Sequence, residues 1–364
     1  MDSAQKMVLC GVEEKVTEKV EETLGMTKLC LLSIWIGKLP ETFELWKRSV
    51  WNNPTVDFYL ITDNSGLQGE ANLKVITMSF EEVKERFQSL FDFKISLETP
   101  YKMCDFKPLW GEAFRDITKD YEFWGHCDLD IILGDIRGFL TEEFLNQHDK
   151  LFEAGCFILY RNTQEMRELY KRSMEEDNMA YPYKDVFRCP YTCYFDEYMG
   201  MNILGWKYGI RVFRDQDKEK FVQDFTWQNL EFKSYITEDI FVFLWQDGKV
   251  YRYLCDESGN ILEDTKKEYM LVHIQKRKMD VMFSMEEFKQ KQCAWIIPNR
   301  FQLEQPQHVY FTPTEKKQYE SQVKKEDRRR SLRNMKNFGL FPYIPHFFRS
   351  RRIRTWILKK KGFF

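Results

Sequence analysis

The chain has 364 residues, 43% of them hydrophobic and 16% aromatic, which is enough for one large core with an appendage. No window of about 18 residues is apolar throughout, so no spanning helix is expected, and the Glu- and Lys-rich first 25 residues do not read as a signal peptide. The net charge of −2 conceals an asymmetry: residues 315–364 hold 16 Lys or Arg against 4 Asp or Glu, a local +12 on a body of about −14.

The elements follow in order. Residues 1–27 form a polar, helix-prone leader with Gly25 as its stop. Leu29 to Ile36 is a nearly unbroken apolar run, suited to a strand buried on both faces of a parallel sheet. A helix over residues 40–50 follows, with Pro40 in its first turn. Val56 to Thr62 is a second strand, ending in the loop signal Asp63-Asn64-Ser65-Gly66. Leu73 to Met78 is a third, and Ser79 with Glu82 forms a capping box for a helix running to Leu90. Next come a helix over 105–119, a strand from Glu122 to Cys127, a short strand from Phe157 to Tyr160 and a helix over 163–175.

From about residue 240 the pattern becomes antiparallel. Val242 to Gln246, Asp247-Gly248 and Val250 to Leu254 read as a hairpin, and Glu268 to Ile274 as a later strand. The tail begins rich in Lys, Glu and Arg. It ends with apolar and basic residues interleaved, and Phe347, Phe348, Ile353, Trp356, Ile357 and Leu358 would share a short amphipathic helix with Arg351 and Arg352. The alternation of strands and helices predicts an α/β fold.

The nine cysteines are odd in number, and several lie in apolar runs. They suit reduced thiols in the cytosol better than a disulfide framework. Cys189 and Cys193 are four apart, and no second pair stands at zinc-site spacing.

The densest chemical signal is FWGHCDLDIILGD, residues 123–135. Asp128 and Asp130 sit one residue apart straight after a buried strand. Two such carboxylates repel unless they share a cation, and hard oxygen ligands suit Mg²⁺ or Mn²⁺ beside a diphosphate. In open α/β sheets ligands gather at the carboxyl ends of strands, where this pair lies. The plain alternative is a pair of turn-capping acids facing water. His126 shares a strand face with Asp128 but sits deeper.

Asp105-Phe106-Lys107-Pro108 together with Trp124-Gly125-His126-Cys127-Asp128-Leu129-Asp130 resembles the nucleotide-sugar-dependent glycosyltransferases of the GT-A fold. The nearest resemblance is to a bacterial group associated with capsule and surface-polysaccharide genes, over residues 28–280. It implies a Rossmann-like mixed sheet flanked by helices, with a smaller antiparallel element. It also implies that Asp128 and Asp130 contact metal and sugar-nucleotide, with Asp130 the more direct ligand. Asp105 and Lys107 then take donor-contacting places, and Asp63 takes one by position alone. His273, followed by Lys276 and Arg277, matches a late third metal ligand with a lysine for the diphosphate.

Asp196 and Glu197 resemble the acidic motif beside the reacting sugar carbon in glycogenin-like transferases, although the spacing to Asn202 differs. One of them would deprotonate the acceptor in an inverting enzyme, or stabilise positive charge on the sugar in a retaining one. Acids at a helix N-terminus are also favoured by the helix dipole alone. The aromatic segment 181–195 offers either an acceptor wall or ordinary loop packing.

These readings divide the chain into a leader at 1–27, a GT-A domain at 28–285, a connector at 286–314 and a basic tail at 315–364. The expected activity is metal-dependent sugar transfer, with Mn²⁺ or Mg²⁺, from a nucleotide-diphosphate donor to a glycan or lipid-linked acceptor. The tail suits an anionic membrane surface rather than nucleic acid, compatible with peripheral attachment to the inner membrane face of the cytoplasm. Two other functions compete. A sugar nucleotidyltransferase would need a Gly-rich loop after the first strand, where only Gly37 stands. A non-catalytic carbohydrate-binding protein would not need the intact acidic pair and His273.

Overall fold

A computed structural model describes residues 25–338, apart from 174–179, 191, 198, 215–220, 226–227 and 234–238. Most of the expected leader and the amphipathic end of the tail lie outside the described residues.

The N-terminal half is an α/β sheet. β1 (Leu29–Trp35), α1 (Phe43–Trp51), β2 (Val56–Thr62), β3 (Leu73–Thr77), α2 (Phe80–Gln88) and β4 (Phe123–Cys127) follow each other. The apolar runs become interior strands: every residue of β4 is buried, and Leu29 to Leu32 of β1 are at most 1% exposed. The expected capping box forms, with the Ser79 hydroxyl accepting from the Glu82 amide and Glu82 returning to the Ser79 amide.

β5 (Ile131–Leu133), β6 (Lys150–Leu151), β7 (Phe157–Arg161) and β8 (Val212–Phe213) come next in the chain. The main sheet is ordered β3-β2-β1-β4-β7-β6-β8. Its first four strands are parallel, whereas β7 is antiparallel to β4. The result is a mixed α/β sheet flanked by helices. The chain steps outward from β1 to β3 and returns to β4 on the other side of β1, so the strand order reverses between β1 and β4. Their carboxyl ends border the crevice where such sheets bind ligands.

Two helices depart from expectation. In place of a helix over 105–119 there is a 3₁₀ helix at Pro100–Leu109, then short turns at Trp110–Ala113 and Arg115–Thr118. Pro108 lies inside it and has no N–H to give, and Met103 and Asp105 through Leu109 are buried, so surrounding packing shapes this segment rather than one apolar stripe. The helix expected over 163–175 starts at the Thr163 cap, runs over Gln164–Glu168 and tightens to 3₁₀ at Leu169–Arg172.

The C-terminal half holds α3 (Met201–Lys207), β9 (Val222–Asp224), β10 (Ile240–Gln246), β11 (Lys249–Cys255), β12 (Ile261–Tyr269), β13 (Leu271–His273), β14 (Asp280–Val281), α4 (Met285–Lys291), β15 (Cys293–Ile297), β16 (Arg300–Gln302) and α5 (Pro313–Phe338). β10 and β11 form the expected hairpin. Asp247 (φ 49°) and Gly248 (φ 81°) are both left-handed, as a tight turn matching strand twist requires.

The second sheet is ordered β12-β11-β10-β15-β16-β14. Segment 286–314, expected as a connector, thus supplies β15 beside β10 and belongs to this sheet. The strand expected from Glu268 to Ile274 divides at Met270, whose carbonyl accepts from the Gly134 amide (2.7 Å). β12 ends there, and β13 crosses to a small sheet ordered β5-β13-β9. That crossing sets His273 opposite Ile131, just after the acidic pair.

Two apolar clusters cover opposite faces of the main sheet, one with Trp124, Phe87 and Phe106, the other with Phe123, Trp46 and Phe157. A third, around Phe225, Phe243 and Trp245, fills the space beneath the second sheet. No disulfide joins the eight described cysteines. Among the described residues no helix is long and apolar enough to cross a membrane.

Candidate functional site

Strand β4 delivers its acids to the crevice. The Asp128 amide donates to the Cys156 carbonyl (2.8 Å), and the Asp130 carbonyl accepts from the Ile274 amide (3.0 Å), so both ends of the pair are pinned to neighbouring strands. His273, at the end of β13, brings Nε2 to 3.3 Å from Asp130 Oδ1. Asp128, Asp130 and His273 each offer a ligand atom, and these atoms lie within 4.8 Å of one another. Two carboxylates and an imidazole at that spacing fit a divalent cation such as Mn²⁺ or Mg²⁺.

The electrostatics separate the two acids. Burial raises the Asp128 carboxyl, and the nearby Asp130 charge adds to this, against the pull of Lys107. Burial acts on Asp130 in the same direction, but the His273 imidazole and the Lys107 ammonium outweigh it and hold its carboxyl below the ordinary range.

Lys107 is the hub behind the pair. Its Nζ donates to Asp128 Oδ1 (2.8 Å) and to the Gly155 carbonyl (2.6 Å), and lies 3.9 Å from Asp196 Oδ2. Burial disfavours its ammonium, but the Asp128 and Asp196 carboxylates prevail and keep it charged above the ordinary lysine range. Asp196 is 4% exposed; burial, then the adjacent Glu197 charge, push its carboxyl well above the usual value. Glu197 Oε1 accepts from the Gly155 amide (2.8 Å). The structure therefore brings Lys107, Asp128, Asp130, Asp196, Glu197 and His273 into one connected group.

Three other expected site residues have partners of their own. Asp105, expected to contact a donor, is fully buried. Its oxygens accept from Lys102 Nζ (2.7 Å) and from the amides of Cys193 (2.7 Å) and Phe195 (3.0 Å). It ties the 3₁₀ helix to the segment leading into Asp196, and three donors occupy it in that task. Asp63 stays exposed at the end of β2, where Oδ1 accepts from the Gly37 amide (2.8 Å) and fixes the loop after β1. Lys276 donates from Nζ to the Tyr101 hydroxyl (2.6 Å) and sits 4.4 Å from the centre of that ring.

Within the aromatic segment 181–195, Phe187 stacks on Phe106 at 4.6 Å and Phe195 is buried, so these two rings belong to the core rather than to an acceptor wall, while Tyr181, Tyr183 and Tyr194 are half-buried. His126 is fully buried with neither ring nitrogen bonded, and its ring meets Trp110 edge-on at 5.8 Å. Burial, then the Lys107 and Lys150 charges, drive its pKa well down and keep it neutral.

Three residues with little local signal join the group. Lys150, at the start of a short buried strand, donates to the Phe152 carbonyl and to Asn202 Oδ1 (2.9 Å). Asn202 returns Nδ2 to the Glu153 carbonyl (3.0 Å). Gly155 stands between Lys107 and Glu197. A lysine inside the apolar run KLFEAGCFILY was the one available hint, because a charge is buried only where partners await it.

The model of a family of unknown function, DUF6625, matches residues 31–305. The chain belongs to that family. No curated protein matches it. Among solved structures it is similar to the glycosyltransferase GlyE of Streptococcus pneumoniae TIGR4, at 12% identity and a TM-score of 0.31 over 54% of this chain and 47% of GlyE. The apo form of GlyE gives 13% and 0.32, over 56% and 48%. A galactosyltransferase, LgtC, in complex with donor and acceptor sugar analogs gives 13% and 0.32, over 54% and 75%. The match thus spans about half the length of GlyE.

Proposed function

We propose that this member of DUF6625 is a metal-dependent glycosyltransferase of the GT-A type. It would move a sugar from a nucleotide-diphosphate donor to a glycan or lipid-linked acceptor in surface-polysaccharide synthesis. One observation carries the reading: Asp128 and Asp130, at the carboxyl end of β4, converge with His273 from a distant strand, their ligand atoms within 4.8 Å. Two acids capping a turn would not require an imidazole to be carried across to them.

A divalent ion bound by these three residues would supply positive charge to the diphosphate oxygens as the nucleotide leaves. The chain's own groups divide the remaining work. Lys276 would offer its ammonium to the diphosphate from beside Tyr101, in a site where fixed charges stabilise the leaving group. Lys107 orients Asp128. Glu197, held by the Gly155 amide, is the carboxylate more readily available to take the acceptor's proton or to steady positive charge on the sugar, because burial and the Glu197 charge push the Asp196 carboxyl well above its usual range. Asp63 would border the donor's base or ribose through the loop after β1.

We propose further that the basic C-terminal segment holds the enzyme against the inner face of the membrane. The α5 sequence, Pro313–Phe338, carries nine Lys or Arg against four Asp or Glu. Lipid-linked acceptors would make that location useful.

Mn²⁺ binding by calorimetry, with Mn²⁺-dependent hydrolysis across a panel of nucleotide sugars, tests the central reading. Asp130→Ala should weaken Mn²⁺ at least about tenfold, the scale on which altering metal sites acts, and remove turnover. Wild-type binding and turnover in that variant would end the proposal.

A further inference from the structure

Four carbonyls and one amide of the turn from Phe152 to Cys156 are held by residues of the candidate site. Lys150 takes the Phe152 carbonyl, Asn202 takes the Glu153 carbonyl and Lys107 takes the Gly155 carbonyl. The Asp128 amide takes the Cys156 carbonyl, and Glu197 accepts from the Gly155 amide. Gly155 is bonded on both sides, toward Glu197 through its N–H and toward Asp128 through Lys107.

A Cβ at residue 155 would stand 2.6 Å from Asp196 Oδ2, 2.7 Å from Glu197 Oε1 and 3.2 Å from Glu197 Cγ. Contacts under 3.0 Å are essentially never made by real Cβ atoms, so the carboxylate ends of Asp196 and Glu197 would have to swing aside. The backbone itself does not demand glycine here, because φ of Gly155 lies outside the left-handed region. Space for two carboxylates, not chain conformation, is what the missing side chain provides.

We infer that Gly155 is a positioning residue for the Asp196–Glu197 pair, its empty Cβ place being the room those carboxylates occupy and its N–H the bond that aims Glu197. The inference rests on the reading of Asp196 and Glu197 as the acid pair of the transferase site. It makes the turn at 152–156 the common mount of the acid pair and, through Lys107, of the metal-side carboxylate.

A double-mutant cycle on the full-length protein tests it. Gly155→Ala should lower Tm by about 3 °C or more, as overpacking a tight site does. In a Glu197→Ala background, where the crowded Oε1 and Cγ are gone, the same substitution should cost clearly less. Mn²⁺ affinity should stay within about threefold of wild type, because the added methyl points at the acid pair and not at Asp130 or His273. With UDP-glucose or UDP-galactose and Mn²⁺, kcat of Gly155→Ala should fall at least about tenfold while KM moves less than about threefold, the signature of a lost transition-state interaction.

Additive Tm losses around the cycle would overturn the inference, since backbone damage is blind to the side chain at residue 197. So would an unchanged kcat for Gly155→Ala alongside an inactive Glu197→Ala. Full turnover by Glu197→Ala would instead sink the acid-pair reading, with the Tm cycle still reporting on Gly155. If neither donor turns over, the cycle alone decides.

Discussion

Asp196→Asn should change how stability depends on pH, and the direction follows from burial. The Asp196 carboxyl is 4% exposed, has Glu197 beside it, and has the Lys107 ammonium 3.9 Å away. Its folded pKa therefore lies above the unfolded value of about 3.9. Below the unfolded value both states are protonated. As pH rises past it, the unfolded chain releases the proton while the folded one keeps it. Stability is then lost at up to about 1.4 kcal/mol per pH unit, until the folded group also ionises.

Asparagine has nearly the same shape and does not titrate. The variant and the wild type should be within about 1 kcal/mol at pH 3.5, and the variant should gain as pH rises. The gap between pH 4 and pH 6 would reach up to about 2.7 kcal/mol, two pH units at that slope. Urea denaturation in metal-free buffer at half-unit pH steps measures it. Parallel curves for the two proteins, or a gap opening in the opposite direction, would refute the assignment of a raised pKa to Asp196.

Two further outcomes follow from the same contacts and from the tail. Lys107→Met removes the ammonium that donates to Asp128, and breaking a buried pair by deleting one partner typically costs about 3–5 kcal/mol. Asp128 is 36% exposed at its side chain, so water screens part of this and a loss of about 2–3 kcal/mol is expected in urea melts; a loss under about 0.5 kcal/mol would contradict the hub role of Lys107. A chain truncated after residue 314 should lose sedimentation with phosphatidylserine liposomes at low salt, and retained binding would remove the tail as membrane anchor.

Much of the frame was legible because it is encoded between near neighbours. The largely apolar runs at Leu29, Val56 and Phe123 specify interior strands, Ser79 and Glu82 specify a helix start, and Asp247-Gly248 specifies a hairpin turn. Each depends on residues within a few positions of one another. The pair Asp128 and Asp130 was visible for the same reason, since a strand ending in two like charges is a local anomaly.

The chain's own order of residues thus determined the α/β class, the main strands and the acidic pair. Tertiary packing decided the rest. Whether Asp105 faces a donor or the amides of Cys193 and Phe195 depends on segments about ninety residues apart meeting in the core. Whether β15 is a connector or an interior strand depends on where β10 lies. The split at Met270 carries His273 to Asp130, and the fold closes the turn around Gly155 against Lys107 and Glu197. Hydrogen bonds and buried charges of this kind hold only where distant groups exclude water together, and local sequence does not record which distant group will arrive.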